Sequence, residues 1–157
     1  MPRLGESECF RLVGPVDLGS VLAILDRLPF FAANTTGGKY PCDVVMRTQF
    51  PPELHAFVDG LGLGGRTARA IIRRLAPRQS IPPHVDDWMP AEKDWRRFQV
   101  PLVTDPAVIM RWPDDGVSVH LAPGWLYEVR YDRLHEVVHG ADCARLHLQI
   151  DQIDATV

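Results

Sequence analysis

In the second half of the chain, apolar and polar residues alternate over short stretches, which is the period of β-strands with one buried face. The alternation predicts seven strands, over about residues 67–75, 96–103, 107–112, 117–121, 126–131, 135–138 and 143–152. Turn sequences such as Pro113-Asp114-Asp115-Gly116 separate them, at the spacing expected of a sandwich or barrel. Helical spacing is confined to two early segments, one from about Asp17 to Leu28 and one from Pro51-Pro52 to Leu61.

The chain, residues 1–157, is most simply one domain, because 46% hydrophobic residues are enough for a single core. Its 14 prolines and 12 glycines divide it into short elements and favour many strands over long helices. We therefore expect a mainly β fold, with a small N-terminal helical layer over about residues 15–62 and a barrel core over about residues 66–152. A jelly roll is one way to close such a core. The loops over residues 30–42 and 87–95 would shape its entrance.

Charge and composition argue against several classes of function. The formal net charge of −3 speaks against a nucleic-acid-binding protein, which would carry a basic stripe. Cys9, Cys42 and Cys143 stand at unrelated spacings and predict neither a disulfide framework nor a zinc site. The chain does not open with a hydrophobic signal core, and no apolar run approaches the roughly 20 residues of a membrane span. We expect a cytoplasmic protein that binds neither nucleic acid nor membranes.

His84 and Asp86 are the strongest candidates for metal binding. Side chains two residues apart leave an extended strand on the same face, so an imidazole and a carboxylate at this spacing can share a metal ion. Pro82-Pro83 enforces an extended approach and puts the pair at a strand end beside a loop. Asp87 is a competing carboxylate, but alternation turns it away from His84.

A third ligand has to come from elsewhere in the chain. We favour His135, because Arg145, ten residues later in an alternating segment, could bind a carboxylate beside the metal. His139 shares the parity of His135 and is its rival. Two histidines and one carboxylate with open positions form the facial arrangement that suits non-haem Fe(II) and oxygen chemistry. The remaining histidines are expected to be structural, namely His55, His120 and His147. His147 could instead form part of the pocket wall.

These residues belong to a longer ordered set. His84-Val85-Asp86 is followed by Arg97-Phe98-Gln99-Val100-Pro101-Leu102-Val103, by His135-Glu136-Val137-Val138, and by Arg145 in a strand that Asp151 closes. The set resembles the aspartyl/asparaginyl β-hydroxylase family of 2-oxoglutarate- and Fe(II)-dependent oxygenases, over about residues 68–151. The resemblance implies a double-stranded β-helix, which is the jelly-roll or cupin-like fold, with iron at one mouth. Some family members lack a carboxylate two residues after the first histidine, whereas this chain keeps it.

The resemblance also implies roles for individual residues. His84, Asp86 and His135 would hold Fe(II). Arg145 would bind the distal carboxylate of 2-oxoglutarate through a two-pronged contact that a lysine could not reproduce. Gln99 stands where many relatives have a histidine near the metal-binding carboxylate of the cosubstrate.

Two further residues would meet the substrate. Arg97 matches a family position that points into the active site and can meet a substrate carboxylate, although it could instead pair with a neighbouring acid such as Asp94. Trp88 could be a substrate lid or a packed loop anchor. Arg73 could line the pocket, but the arginines near it make a solvated face the expectation. Aromatic residues that could form the wall, or equally the ordinary core, are Trp95, Phe98, Trp112 and Trp125.

The function implied is a dioxygenase that uses O2 and 2-oxoglutarate to hydroxylate an unactivated C–H bond of an amino acid or peptide side chain, with succinate and CO2 as co-products. One alternative is a metal-dependent cupin isomerase or hydrolase. Another is a non-catalytic, small-molecule-binding jelly roll whose histidines are structural. Arg145 favours the dioxygenase, because a carboxylate clamp beside the metal is idle in both alternatives.

Overall fold

A computed structural model describes residues 2–35, 40–89 and 94–154, and in these residues the chain forms eleven β-strands and two short α-helices. In chain order they are β1 (Phe10–Pro15), α1 (Gly19–Leu22), β2 (Phe31–Thr35), β3 (Tyr40–Met46), α2 (Pro52–Gly60), β4 (Arg66–Leu75), β5 (Ile81–His84), β6 (Trp95–Val103), β7 (Val108–Trp112), β8 (Val117–Val119), β9 (Trp125–Val129), β10 (His135–His139) and β11 (Arg145–Ile153). No helix among these residues is long and apolar enough to cross a membrane.

The strands form two antiparallel sheets that face each other. The larger sheet has the order β1-β9-β6-β11-β4-β3-β2, and the smaller sheet has the order β5-β10-β7-β8. From β4 to β11 the chain crosses repeatedly between the sheets, and strands far apart in sequence pair, such as β4 with β11 and β5 with β10. This is the double-stranded β-helix, and the prediction of a mainly β jelly roll is confirmed.

Strand β11 lies in the middle of the larger sheet, and its residues are buried on both faces. Its even-numbered residues Leu146, Leu148 and Ile150 pack on the outer face, against α1 and α2, in the largest apolar cluster of the described residues. Its odd-numbered residues point into the space between the sheets. They are polar, which is unusual for a buried strand face and marks that space as more than a packing core.

The N-terminal part differs most from the prediction. Residues 15–62 contain β2 and β3 as well as helices, and these strands extend the larger sheet. The predicted entrance loop over residues 30–42 is therefore largely strand, while residues 36–39 and 90–93 lie outside the described part. The first predicted helix is only a four-residue α1 followed by a 3₁₀ turn at Leu25–Arg27. Short segments such as these are shaped by pairing with the sheet, which their own periodicity does not report.

Leu148→Ala tests the packing of the outer face. Leu148 is fully buried between the larger sheet and the helices, so we expect its truncation to lower the free energy of unfolding by about 2–5 kcal/mol, measured by urea denaturation. Leu12→Ala is the matched control, because Leu12 is 49% exposed and should change stability by less than about 0.5 kcal/mol. Equal losses in the two variants would contradict this packing.

Candidate metal centre

Strand pairing brings the two predicted histidine ligands together. His84 is the last residue of β5 and His135 is the first residue of β10, and the two are directly opposite each other in the antiparallel pair. Their ring centroids are 4.3 Å apart. Asp86 follows in the turn after β5, where its backbone N–H donates a hydrogen bond of 3.2 Å to the carbonyl of Tyr131. The turn is thereby tied to the chain segment that leads into β10.

The three side chains converge on one point. Nε2 of His84 lies 3.8 Å from Oδ1 of Asp86, and Nε2 of His135 lies 3.6 Å from Oδ2 of the same carboxylate. The three ligand atoms lie within 4.8 Å of one another, and this is the one group of three or more candidate ligands in the described part of the chain. The structure thus brings together the residues that the sequence predicted as a metal site.

Hydrogen bonds to the backbone fix both rings in the form that a metal needs. Nδ1 of His84 lies 2.8 Å from the carbonyl oxygen of Pro82, and Nδ1 of His135 lies 2.7 Å from that of Arg133. A carbonyl only accepts, so Nδ1 carries the proton and Nε2 keeps its lone pair. Burial, together with the nearby His84, lowers the pKa of His135 to about 4, so this ring is neutral at physiological pH. Two imidazoles that present Nε2 and one carboxylate fit a non-haem Fe(II) ion.

A buried chain of alternating charges holds Asp86. Arg97 donates Nη1 to Asp86 and Nε to Asp151, the latter at 2.6 Å. Asp151 is fully buried and also accepts a hydrogen bond of 2.9 Å from Nε of Arg69. Burial alone would raise the pKa of Asp86, but the charge and hydrogen bond of Arg97 outweigh it and lower the pKa, so Asp86 stays ionised.

Arg97 is therefore engaged by two acids of the protein itself. The alternative partner Asp94 is not one of them, since Asp94 lies 3.2 Å from Nη1 of Arg3. In this geometry Arg97 positions the metal-ligand carboxylate of Asp86. Its contact with a substrate carboxylate stays a prediction.

A cavity runs from the metal site into the space between the sheets. Both residues predicted to bind the cosubstrate line it. Arg145, the first residue of β11, has Nη2 at 2.8 Å from Nδ1 of His147 and at 3.5 Å from Oε1 of Gln99. The metal triad and the predicted carboxylate clamp thus belong to one cavity, as a ligand that spans both would require.

Arg73 lines the same cavity, which corrects the expectation that it lies on a solvated face. It is only 8% exposed. Strand β4 pairs with β11 so that Arg73 is opposite His147, and the odd-numbered residues of β4 point inward. Ile71 and Leu75, which share this parity, are buried apolar residues. Apolar residues at positions 71 and 75 are therefore the feature of the sequence that indicates an inward side chain at Arg73.

The rival ligands lie elsewhere. His139 is at the far end of β10, where its backbone N–H donates to Ser80 and its Nδ1 accepts a 3.3 Å hydrogen bond from the backbone of Ala141. Asp87 is exposed, as alternation predicted. Of the other histidines, His55 packs on Phe50, and Nδ1 of His120 lies 3.0 Å from a backbone carbonyl, while His147 forms part of the cavity wall.

Trp88 is 45% exposed, so it is not a buried loop anchor. The guanidinium of Arg69 lies 4.2 Å from its ring centroid, and Trp95 meets it edge to face at 5.7 Å. Through Arg69 and Asp151 the ring is linked to the metal site. The suggested aromatic wall is absent from the described cavity lining, where the large apolar residues are Ile81, Met110 and Val137. Phe98 and Trp112 are core residues and Trp125 is exposed.

The sequence matches no family model and no curated protein. Solved structures do share the fold. The non-haem α-ketoglutarate-dependent epimerase SnoN of nogalamycin biosynthesis is 18% identical, with a TM-score of 0.65 over 96% of this chain and 78% of its own. An oxidoreductase of the 2OG-Fe(II) oxygenase family from Burkholderia pseudomallei is 17% identical, with a TM-score of 0.63 over 86% and 78%.

A third solved structure is the viral collagen prolyl hydroxylase vCPH of Paramecium Bursaria Chlorella virus-1, in its 2OG complex. It is 9% identical, with a TM-score of 0.62 over 95% of this chain and 97% of its own. At such identities the likeness shows a common fold. It does not bear on the aspartyl/asparaginyl β-hydroxylase family in particular, so that resemblance stays a prediction.

Asp151→Asn tests whether the buried charge chain supports the metal site. The change keeps the size of the side chain but removes the negative charge between Arg69 and Arg97. We expect Mn(II) affinity, measured by electron paramagnetic resonance, to fall about 10- to 100-fold. Asp43→Asn removes an exposed partner of Arg74 and should leave the affinity unchanged. Unaltered Mn(II) binding by a folded Asp151→Asn variant would refute the role of the chain.

Proposed function

We propose that this protein is a 2-oxoglutarate- and Fe(II)-dependent dioxygenase that hydroxylates an unactivated C–H bond of an amino acid or peptide side chain. The observation that carries the proposal is the convergence of His84, Asp86 and His135 at one cavity with Arg145. A metal site of this composition suits Fe(II), and a guanidinium within the same cavity suits the far carboxylate of a metal-binding 2-oxo acid.

The fold comparisons support the choice of cofactors. The structures that share the fold include a 2OG-Fe(II) oxygenase family member, an α-ketoglutarate-dependent epimerase and a prolyl hydroxylase in complex with 2OG. When bound, Fe(II) with 2-oxoglutarate and O2 supplies the oxidative chemistry, and succinate and CO2 are released. The remaining contributions come from side chains of the protein.

The protein's first task is to keep one side of the metal site open. His84 and His135 present Nε2 from neighbouring strands, and Asp86 reaches the same point from the following turn. All three ligands belong to the smaller sheet and its turn, so the opposite side faces the cavity. The hydrogen bonds at Nδ1 and the contact with Arg97 hold these side chains in place before any ligand binds.

The second task is to orient the cosubstrate. Arg145 is held by His147 at the inner end of the cavity, where it would bind the distal carboxylate of 2-oxoglutarate. Gln99 lies between Arg145 and Arg97 on the inner face of the larger sheet, where its amide would meet the middle of the ligand or its metal-binding carboxylate.

The substrate would enter past Trp88. Its exposed ring, fixed over Arg69, offers an apolar surface beside the metal site and is our candidate for a substrate contact. An amino acid or peptide substrate is supported by the sequence resemblance. A reducing, cytoplasmic setting is supported by Cys9, Cys42 and Cys143, none of which forms a disulfide among the described residues.

Anaerobic addition of Fe(II) and 2-oxoglutarate should produce the weak visible charge-transfer band of a chelated 2-oxo acid. We expect His135→Ala to abolish the band, because it removes one of three metal ligands. His139→Ala should retain it, since His139 lies outside the triad at the other end of β10. A protein that is fully loaded with iron yet gives no band would contradict the dioxygenase and favour another metal-dependent cupin activity.

An oxygen-dependent succinate assay across free amino acids and short peptides should identify the substrate, with the product read as a mass gain of one oxygen. With that substrate, Trp88→Ala should raise KM about tenfold while 2-oxoglutarate affinity stays unchanged. Trp125→Ala is the matched control: this exposed ring lies at the opposite end of β9 from Val129, which pairs with Arg97. Identical kinetics of the two variants would remove Trp88 from the substrate site.

A further inference from the structure

The β9–β10 loop, residues 130–134, supplies two of the backbone acceptors that hold the metal ligands. The carbonyl of Tyr131 accepts a hydrogen bond of 3.2 Å from the backbone N–H of Asp86. The carbonyl of Arg133 accepts one of 2.7 Å from Nδ1 of His135. A shift of this loop would therefore move two of the three ligands together, because both are tied to its backbone.

Two side chains of the β9–β10 loop bind residues 5–8, which we call the N-terminal turn. Arg130 donates Nη2 and Nε to two backbone carbonyls of this turn, at 2.7 Å and 3.1 Å. Arg133 donates Nη2 to a third carbonyl of the turn. The two residues thus face both ways, since their side chains bind the N-terminal turn while the carbonyls of the same loop bind the metal ligands.

The N-terminal turn is closed by its own hydrogen bonds. The backbone N–H of Glu8 donates to the carbonyl of Gly5 at 3.1 Å, and the carboxylate of Glu8 accepts from the backbone N–H of Gly5 at 2.5 Å. The next residue, Cys9, is buried, and its carbonyl accepts a hydrogen bond of 2.8 Å from the backbone N–H of Arg130. The turn therefore presents its carbonyls to the loop in a fixed arrangement, which a free chain segment would not do.

Both arginines depend on the N-terminal turn for hydrogen-bond acceptors. Only 21% of the Arg130 side chain and 30% of the Arg133 side chain are exposed, so water could not fully replace the lost carbonyls. Nη1 of Arg133 also lies 2.6 Å from Asp115. The carboxylate partner of Arg130 is more distant, at 3.5 Å. The β9–β10 loop is thus held between the turn on one side and the metal ligands on the other.

We propose that the N-terminal turn is a positioning part of the metal site, because it fixes the β9–β10 loop whose carbonyls orient Asp86 and His135. Metal binding and the order of the turn are then coupled, and such a coupling acts equally in both directions. Removing a group that orients a metal ligand typically costs about 10- to 100-fold in metal affinity, and the turn acts one contact further away. The coupling rests on the metal site of the proposed function, although not on the reaction that follows.

Arg133→Met tests the coupling through Mn(II) affinity, measured by electron paramagnetic resonance. The change keeps the length of the side chain and removes its contact with the N-terminal turn, while the backbone carbonyl that holds His135 remains. We expect the affinity to fall about 5- to 10-fold. Arg133→Lys can still donate to one carbonyl, so it should recover part of the loss, and it serves if the methionine variant does not fold.

Arg11→Met is the matched control. Like Arg133, Arg11 is partly exposed and donates to one backbone carbonyl near the N-terminus, that of Pro2 at 2.5 Å. It also binds one carboxylate, that of Glu128. Neither of these partners belongs to the β9–β10 loop or to the N-terminal turn, so the Mn(II) affinity of this variant should equal that of the wild type.

Amide hydrogen exchange measures the same coupling from the other side. The backbone N–H groups of Gly5 and Glu8 close the N-terminal turn, so their exchange reports its opening. Mn(II) binding to the wild type should slow this exchange about 5- to 10-fold. In Arg133→Met the exchange should be faster and should no longer respond to Mn(II), whereas in Arg11→Met the response should remain.

A lower free energy of unfolding in Arg133→Met with unchanged Mn(II) affinity would make the contact merely structural and overturn the coupling. Equal losses of affinity in Arg133→Met and Arg11→Met would overturn it as well. If the affinity falls but the amides of the turn do not respond to Mn(II), the effect belongs to Asp115, the other partner of Arg133, and the turn has no part in it.

A wild-type protein that does not bind Mn(II) would contradict the metal site itself, and the proposed function with it. That result differs from wild-type binding that the Arg133 variants leave intact, which contradicts the coupling alone. The two failures are therefore distinguishable.

Discussion

The buried carboxylate of Asp151 is the interaction on which the geometry of the metal site depends. It is fully buried and accepts hydrogen bonds from Arg69 and Arg97, which would otherwise be neighbouring cations in a space of low polarity. With Arg97 fixed in this way, its remaining nitrogen meets Asp86 and keeps that ligand ionised and turned toward the two histidines. Removing the central charge would leave the buried guanidinium of Arg97 and the partly exposed one of Arg69 to repel each other, so the whole chain of charges is cooperative.

The central position of β11 explains how one sheet can support both stability and chemistry. Its even-numbered residues, among them Leu148, are apolar and pack against the helices, while its odd-numbered residues carry the polar groups of the cavity. Because side chains alternate across a strand, neither role interferes with the other. Further apolar clusters between the sheets flank the polar groups at both ends. They confine the cost of burying charge to the region where a ligand can bind.

The sequence predicts the barrel and the pairing of His84 with Asp86 well, because both depend on local spacing, whereas His135 reaches the same point through the pairing of β5 with β10. Alternation locates the strands from β4 onward except β5, and His84 and Asp86 stay close together because His84 ends this short strand and Asp86 lies in the turn that follows it. The positions of the other charged side chains of the site depend on partners that are distant in sequence. The inward direction of Arg73 follows from its pairing with His147, and the engagement of Arg97 follows from Asp151, 54 residues later. Only the parity of Ile71 and Leu75 indicates the direction of Arg73, and the residues around Arg97 give no sign of Asp151.

A cavity that concentrates unmatched donors has a thermodynamic consequence for the protein. Arg73 and the Nε2 of His147 are desolvated in the folded state without gaining a hydrogen bond among the described residues, so the ligand-free fold carries their cost. A ligand that supplies hydrogen-bond partners to these groups relieves that cost only in the folded state, and its binding free energy therefore adds directly to stability. Ligand-linked stability thus originates in polar groups that the protein buries but leaves for a ligand to satisfy.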